Sequence, residues 1–316
     1  MDHYISQVHL RKFCSPVLGD RMFALRKSDL KGFTPNSRSI CRIEDGSTNS
    51  YLIHDREIEE FLRDIEPAYD AALESLRQGA ITRETVYTVA GFLAYVLTCS
   101  PTAMRMNLEP LKRGVEEAAF AIDAAGEFPP PPTDLGGSSL AELLTAGTVR
   151  VEIDGKYPQA LGIAAIRQHT ARLGCSRWEI LHNRCSDSPF FTSDYPAAIE
   201  LAPDPRVVRR VLPLAPDLAI RVTPDADLDH ASCTLDFDHF SFRERRVSRH
   251  EVVAINRLLV RCAEDLVIYR DDHPWVYPFV ARNRHFRVDT TTQVISKPAG
   301  GKRLWFSQRI VESPKP

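Results

Sequence analysis

The spacing of hydrophobic residues predicts a helical first half. From Asp55 onward, apolar residues recur at the three- and four-residue intervals of an amphipathic helix. They are Ile58, Phe61, Leu62, Ile65, Tyr69, Ala72, Leu73 and Leu76. Pro67 interrupts this run directly after Glu66. Because a proline inside a helix removes one backbone hydrogen bond, we expect a kink there that presents Glu66. The simpler interpretation of Glu66 is a surface ion pair.

Three further helices are predicted. The segment from Thr82 to Cys99 is apolar nearly all round, which is typical of a buried central helix. Ser100-Pro101 ends it and begins another helix over 102–125, with Arg105 in its early turns. A third runs over 158–173 and stops at Gly174.

The β-rich segment begins at Trp178–Asn183, which alternates apolar and polar residues as a half-buried strand does. Further strands are predicted at Phe190–Ser193, Ala197–Leu201, Val207–Leu214 and Leu218–Val222. The last two flank Ala215-Pro216-Asp217 and indicate a hairpin. The pattern predicts a mainly helical α+β fold, with helices packed on a small antiparallel sheet. We expect one domain over 1–270 with a proline-rich loop near 129–132, followed by a basic appendage over 271–316.

Composition and charge narrow the function classes. The chain of 316 residues is 43% hydrophobic with a net charge of −2, so no global field favours nucleic acid or acidic lipid. No apolar run reaches the ~20 residues of a membrane span, and no signal peptide is visible. The seven cysteines include no C-x-x-C pair, which argues against a zinc ribbon. Their odd number and scatter favour a reducing compartment, so we expect a cytoplasmic protein.

Several polar residues stand where chemistry is possible. Asp194, in Thr192-Ser193-Asp194-Tyr195-Pro196, follows a strand, so its carboxylate either serves a site or ties the turn. His3, Gln7 and Arg11 would form one polar stripe if residues 3–13 were helical. The capping box Ser248-x-x-Glu251 predicts one more helix, to Asp265, and Asn256 lies in its middle after the apolar Ile255, where it bonds within the core or lines a pocket.

Other signals are weaker. Nucleotide-binding glycine loops, the nucleophile elbow G-x-S-x-G and the zinc motif H-E-x-x-H are missing from the sequence. The segment 225–242 mixes histidine and aspartate, so a divalent metal is possible, although loop polarity explains the composition equally. The basic tail after Val280 includes aromatic residues and could contact nucleic acid.

The opening His3-Tyr4-x-x-Gln7-x-x-Leu10-Arg11-x-Phe13 resembles the signature of the family catalogued as domain of unknown function 4238. That signature usually reads His-Tyr-Ile-Pro-Gln-x-Tyr-Leu-Arg-x-Phe, and this chain has Ser6 where proline is common. Further pieces resemble the family in the same order: Glu59 and Glu66, Ser100-Pro101-x-x-Met104-Arg105, Phe191-Thr192-Ser193-Asp194-x-Pro196, Leu212-Pro213-Leu214-x-Pro216-Asp217 and Ile255-Asn256. The resemblance covers roughly residues 1–270. It supports the fold and the candidate residues and implies no reaction.

Two hypotheses follow for the role of these residues, whose ligand would be a small molecule or a nucleic acid. In the first, the protein hydrolyses a phosphorylated or phosphodiester substrate. His3, Glu66 and Asp194 are then catalytic, as base and carboxylates with or without a divalent ion. Gln7, Arg11, Arg105 and Asn256 bind the substrate. In the second, the same residues form a structural polar network inside a non-catalytic binding or regulatory module.

Overall fold

The computed structural model describes residues 1–129, 131, 133–296 and 302–313. The α-helices are α1 (Gln7–Leu10), α2 (Glu57–Ile65), α3 (Tyr69–Gln78), α4 (Arg83–Cys99), α5 (Pro101–Ala124), α6 (Leu140–Thr145), α7 (Lys156–Ala164), α8 (Ile166–Gly174), α9 (Arg249–Cys262) and α10 (Val276–Asn283). The strands are β1 (Asp2–His3), β2 (Phe23–Arg26), β3 (Gly32–Phe33), β4 (Arg42–Ile43), β5 (Arg177–Asn183), β6 (Thr192–Ser193), β7 (Ala198–Leu201), β8 (Val208–Ala215), β9 (Leu218–Thr223), β10 (Ser241–Val247), β11 (Leu266–Tyr269), β12 (Phe286–Ser296) and β13 (Lys302–Glu312).

The α+β class is confirmed. Helices account for 39% of the chain and strands for 23%, so "mainly helical" overstates the helical share. The strands form two larger sheets and two strand pairs rather than one small sheet. A five-stranded sheet has the order β10-β5-β9-β8-β7, and a four-stranded sheet has the order β3-β2-β11-β6.

The larger sheet departs from the expected antiparallel pattern at one edge. β8 and β9 form the predicted hairpin, and β5 pairs with β9 in antiparallel register. β10 forms the edge and runs parallel to β5. This strand lies at the end of a segment whose mixed aspartates and histidines gave no strand pattern, so the sequence did not predict it.

The predicted helices are present with two interruptions. The first long helix is broken rather than kinked, because α2 ends at Ile65 and α3 begins at Tyr69. Glu66 occupies the C-cap of α2, and Pro67 follows it. The helix predicted over 158–173 is likewise two helices that meet at Ala165.

α4 is central, as its apolar sequence predicts. Thirteen of its seventeen residues are buried. It contacts α2, α3, α5, α7 and α8. Its N-terminus carries a capping box between Thr82 and Thr85. Within the described residues, no single helix has the length and apolarity to cross a membrane; only α4 and α5 together reach them, as a pair bent by 64°.

The segment after residue 270 contributes to the same core. Val276 and Val280 of α10 are fully buried, and so is Val288 at the base of the β12–β13 hairpin. The predicted boundary near residue 270 lies beside these packed residues, and the division into domain and appendage stays a prediction. Pro130 and Pro132 of the predicted loop lie outside the described residues.

Candidate functional site

An open cleft lies between the N-terminal segment and the break that separates α2 from α3. Its volume is about 530 Å³. The residues that line it include three of the N-terminal segment and two carboxylates of the first helical region: His3, Gln7, Arg11, Glu59 and Glu66. The structure therefore brings four of the seven predicted site residues, His3, Gln7, Arg11 and Glu66, to one surface.

The N-terminal residues reach the cleft from three different elements, not from one helical stripe. His3 lies in β1 and pairs with Arg42 of β4. Gln7 begins α1, and Arg11 begins a 3₁₀ turn that follows it. The buried Tyr95 of α4 donates its hydroxyl to the His3 carbonyl at 2.5 Å, which fastens β1 to the central helix.

The imidazole of His3 has a defined hydrogen bond. Its Nε2 lies 3.0 Å from the carbonyl oxygen of Ser37. Because a carbonyl only accepts, Nε2 must carry the proton, and the lone pair of the neutral ring is on Nδ1. Burial lowers the pKa of His3 below 6.5, while the Ser37 carbonyl and the Glu66 carboxylate raise it in part. His3 is therefore a neutral base near pH 7.

Glu66 is held in place by a residue that the sequence did not single out for a role. The hydroxyl of Ser6 donates a hydrogen bond to Oε1 of Glu66. Ser6 is buried and occupies the N-cap of α1. A carboxylate at a helix C-terminus faces the negative end of the helix dipole, so Ser6 stabilises Glu66 in an otherwise unfavourable position.

The cationic side of the cleft consists of Arg11 and Arg63, both exposed. Arg11 donates to the side-chain oxygen of Gln7 at 3.3 Å, which is a long and weak bond. Glu59 is engaged by Arg56 through two nitrogens. Arg11 therefore keeps most of its donors for an anionic ligand.

Asp194 does not line this cleft. It is 4% exposed, and its carboxylate accepts hydrogen bonds from the backbone N–H groups of Glu264, Asp265 and Leu266 at 2.7–2.9 Å. These groups lie where the chain passes from α9 into β11. Asp194 directly follows β6, so its carboxylate fastens this connection to the end of β6. Burial raises its pKa to about 6, against the opposing effect of the three N–H donors.

A second pocket of about 510 Å³ includes Asp194 together with Tyr4 and Cys41. Burial raises the pKa of both the Tyr4 phenol and the Cys41 thiol. Neither is activated as a nucleophile, because activation requires a lowered pKa or an adjacent base.

Arg105 and Asn256 are also bound within the protein and away from the cleft. Arg105 pairs with Glu264 and Asp289 and donates to the Val288 carbonyl. It therefore joins α5 to the segment before β11 and to β12. Asn256, fully buried in α9, accepts from the N–H of Phe191 and donates to the carbonyl of Pro189. Of the two interpretations of Asn256, the structure favours bonding within the core.

A buried histidine that the sequence reasoning passed over lies in the core. His9 of α1 bonds to the hydroxyl of Tyr69 at 2.9 Å and to that of Thr192 at 2.8 Å, and it stacks on Phe92. Burial lowers its pKa to about 3, so the ring is neutral. Its position between the apolar residues Val8 and Leu10 in sequence is the signal that could have found it.

Metal-ligand geometry is not seen in the described part of the chain. Among the described residues, which include all of 225–242, no three histidine, cysteine or acidic side chains are arranged to hold an ion. The cleft itself contains one histidine and carboxylates that already have partners.

A comparison with protein-family models matches residues 2–273 to the family described as protein of unknown function DUF4238. This match includes every residue that lines the cleft except Met1. No curated protein and no solved structure matches the chain. The family model spans most of the sequence, so the chain belongs to the DUF4238 family of proteins of unknown function.

Proposed function

We propose that the cleft is the active site of a hydrolase that cleaves a phosphate ester or phosphodiester. The observation that carries this proposal is the neutral His3, oriented by the Ser37 carbonyl and set beside Glu66 in an open cleft. An imidazole with a fixed tautomer and a free lone pair is the usual general base near neutral pH.

The proposed step uses groups of the cleft alone. Nδ1 of His3 takes a proton from a water molecule, and the water oxygen forms a new bond to phosphorus. The bond between phosphorus and the departing oxygen breaks, and that oxygen receives the proton held by His3. The Glu66 carboxylate stabilises the transient imidazolium. Arg11 and Gln7 bind the phosphate oxygens, and the guanidinium offsets the charge that develops on them.

Asp194, Arg105 and Asn256 support the site indirectly in this proposal. Asp194 and Arg105 both bond to the segment just before β11. Asn256 fixes the strand segment before β6. Their effect on turnover would arise from the stability of the frame, so their variants should lose folded protein before they lose activity per folded molecule.

The test is hydrolysis of a chromogenic phosphodiester, bis(p-nitrophenyl) phosphate, by the full chain. We expect His3→Asn and Glu66→Gln to lower kcat by at least about tenfold, the lower part of the range for acid–base groups. His54→Asn and Glu60→Gln are matched controls, because both residues are exposed and neither is among the residues that line the cleft. Activity that is absent in the wild-type chain, or unchanged in both cleft variants, would overturn the proposal.

A pH profile separates the base from a structural role. Since burial lowers the pKa of His3 below 6.5, activity should rise with pH on the acidic limb and level off below pH ~7. The limb should be missing from any residual activity of His3→Asn.

The alternative is a non-catalytic module that binds a small molecule or nucleic acid in the same cleft. The internal bonding of Asp194, Arg105 and Asn256 favours it, because those residues are committed to structure. In that case His3→Asn would weaken ligand binding, and no condition would give turnover. We also propose a cytoplasmic location, supported by seven free cysteines, five of them buried.

A further inference from the structure

A second polar surface lies on the five-stranded sheet, apart from the cleft. Residues that face each other on neighbouring strands share one face of a sheet. Arg243 of β10 faces Glu179 of β5, and Glu179 faces Arg221 of β9. Glu200 of β7 faces Arg209 of β8 on the same side. The face therefore carries a charged residue on each of the five strands, in the order arginine, glutamate, arginine, arginine, glutamate.

The central members of this ladder neutralise one another. Arg221 lies 2.5 Å from Glu179 and 2.7 Å from Glu200, with 13% of its side chain exposed. Arg243 also contacts Glu179. These pairs engage both carboxylates of the face, Glu179 and Glu200. Any further cation on this face therefore lacks a carboxylate of its own to neutralise it.

Two further arginines on this face, Arg177 and Arg209, give it an excess of positive charge. Arg177 faces Thr223 in the sheet register. Arg210 faces Val222, so one step along the same register brings Arg209 beside Thr223. Thr223 thus has an arginine on each neighbouring strand. Cα atoms two strands apart are about 10 Å from each other, a span that two arginine side chains close around a small anion.

The donors of these two arginines are largely unused. Arg209 has one ion pair, to Glu200 at 3.9 Å, and its buried Nε has no hydrogen-bond partner among the described residues. Arg177 is exposed, and within the described chain its side chain shows no ion pair. The partly buried guanidinium of Arg209, with an unused Nε donor, carries a desolvation cost that a bound anion would recover.

A hollow of about 320 Å³ lies over this row. Its lining contains Arg177, Arg209 and the hydroxyls of Thr223 and Ser241. Phe242 lies at its rim, but its register partner is Trp178, so its ring is on the opposite face of the sheet, where it stacks on Phe240. The volume exceeds that of a phosphate group and lies near the lower limit for small-ligand sites.

We propose that this hollow binds the phosphate group of a phosphate monoester, such as a nucleoside monophosphate. Four arginines against two glutamates leave two positive charges, which match the charge of about −2 on a phosphate monoester. Arg177 and Arg209 grip the phosphate oxygens through paired N–H groups. Thr223 and Ser241 donate further hydrogen bonds. The site does not depend on hydrolysis in the cleft.

Isothermal titration calorimetry of the full chain tests this inference with three probes: a nucleoside 5′-monophosphate, the unphosphorylated nucleoside and inorganic phosphate. We expect the monophosphate and inorganic phosphate to bind and the nucleoside not to bind. The double variant Arg177→Ala/Arg209→Ala should lose at least about tenfold in affinity. Arg177→Lys/Arg209→Lys should lose part of it, since lysine keeps the charge without the paired donors.

Arg257→Ala is the matched control, since Arg257 is exposed and, like Arg177, shows no ion pair within the described chain. It should bind as the wild type does. His3→Asn should also bind unchanged, which separates this site from the cleft. Absence of monophosphate binding in the wild type, or equal affinity in the alanine double variant, would overturn the inference. Thermal melting of each variant shows that the comparison is made on folded protein.

Discussion

The hydroxyl of Ser6 donates a hydrogen bond to the carboxylate of Glu66, and this bond joins the start of α1 to the end of α2. Ser6 stands where the DUF4238 signature commonly has proline, a residue without a hydroxyl. Its backbone angles, φ −58° and ψ 139°, are ones that proline also adopts. The contact with Glu66 is therefore a feature of this chain that a proline could not reproduce.

Ser6→Pro should fold, and it should leave Glu66 without its hydroxyl donor. By restricting the unfolded chain, the proline can stabilise by about 0.4–1 kcal/mol. Loss of a hydrogen bond to a charged group costs roughly 1.5–3 kcal/mol, so we expect a net loss of stability measured by urea unfolding. Ser6→Ala loses the same hydrogen bond but does not restrict the unfolded chain, so it should be the less stable of the two variants. A Ser6→Pro variant more stable than the wild type would show that the bond contributes little.

Asp194→Asn should reveal the raised pKa of the buried carboxyl. A folded pKa of about 6 against 3.8 in the unfolded chain means that the folded state binds the proton more tightly. The stabilising contribution of Asp194 is therefore fully present below pH ~4 and is lost as pH rises through 6, by up to about 3 kcal/mol.

The gap in unfolding free energy between wild type and Asp194→Asn should consequently shrink between pH 4.5 and pH 7.5. Asparagine does not titrate, and all other ionisable groups are common to the two chains. Their contributions to the pH dependence of the unfolding free energy therefore cancel in the difference. A gap that widens with pH would mean that the three backbone N–H donors outweigh burial.

His9 should give the opposite pH dependence. Its folded pKa of about 3 lies below 6.5, so stability present above pH 6.5 is lost as pH falls towards 3, at about 1.4 kcal/mol per pH unit. His9→Gln should be less stable than the wild type at pH 7 and should lose less stability on acidification. His54→Gln, at an exposed position, should follow the wild-type slope in chemical denaturation across this range.

Asn256→Ala should destabilise the protein by roughly 2–5 kcal/mol, because it leaves the N–H of Phe191 and the carbonyl of Pro189 buried without partners. Asn256→Asp keeps the acceptor for Phe191 but loses the donor for Pro189. Urea unfolding of both variants measures the two losses. Lowered activity per folded molecule in Asn256→Ala, at unchanged stability, would instead indicate a residue that touches the substrate.

Local patterns predicted the helices and the central hairpin well, since hydrophobic periodicity and turn residues act over a few positions. The burial of α4 follows from its uniformly apolar sequence, and the break at Pro67 from proline geometry. The same reasoning did not detect β10, whose parallel pairing with β5 depends on a partner more than 60 residues away. It also did not detect the β12–β13 hairpin, although both of its strands are rich in β-branched and aromatic residues.

The candidate site was predicted in part. An assumed helix over 3–13 identified His3, Gln7 and Arg11, and the proline after Glu66 identified that carboxylate; the four line the cleft, although the N-terminal three lie on separate elements. Asp194 was identified at the end of a strand, yet its oxygens are used by three backbone N–H groups. A sequence does not show which backbone donors a carboxylate will meet, so a residue that ties a turn and one that serves a ligand look alike until the chain is folded.

The parallel strand β10 has a consequence for self-association. An edge strand exposes unpaired backbone groups that another chain can extend into a continuous sheet. β10 carries Arg243, Glu244, Arg245 and Arg246 in succession. A second copy that aligned its own β10 here would bring these charges together without solvent between them. The run of charge therefore opposes growth of the sheet into aggregates at its open edge.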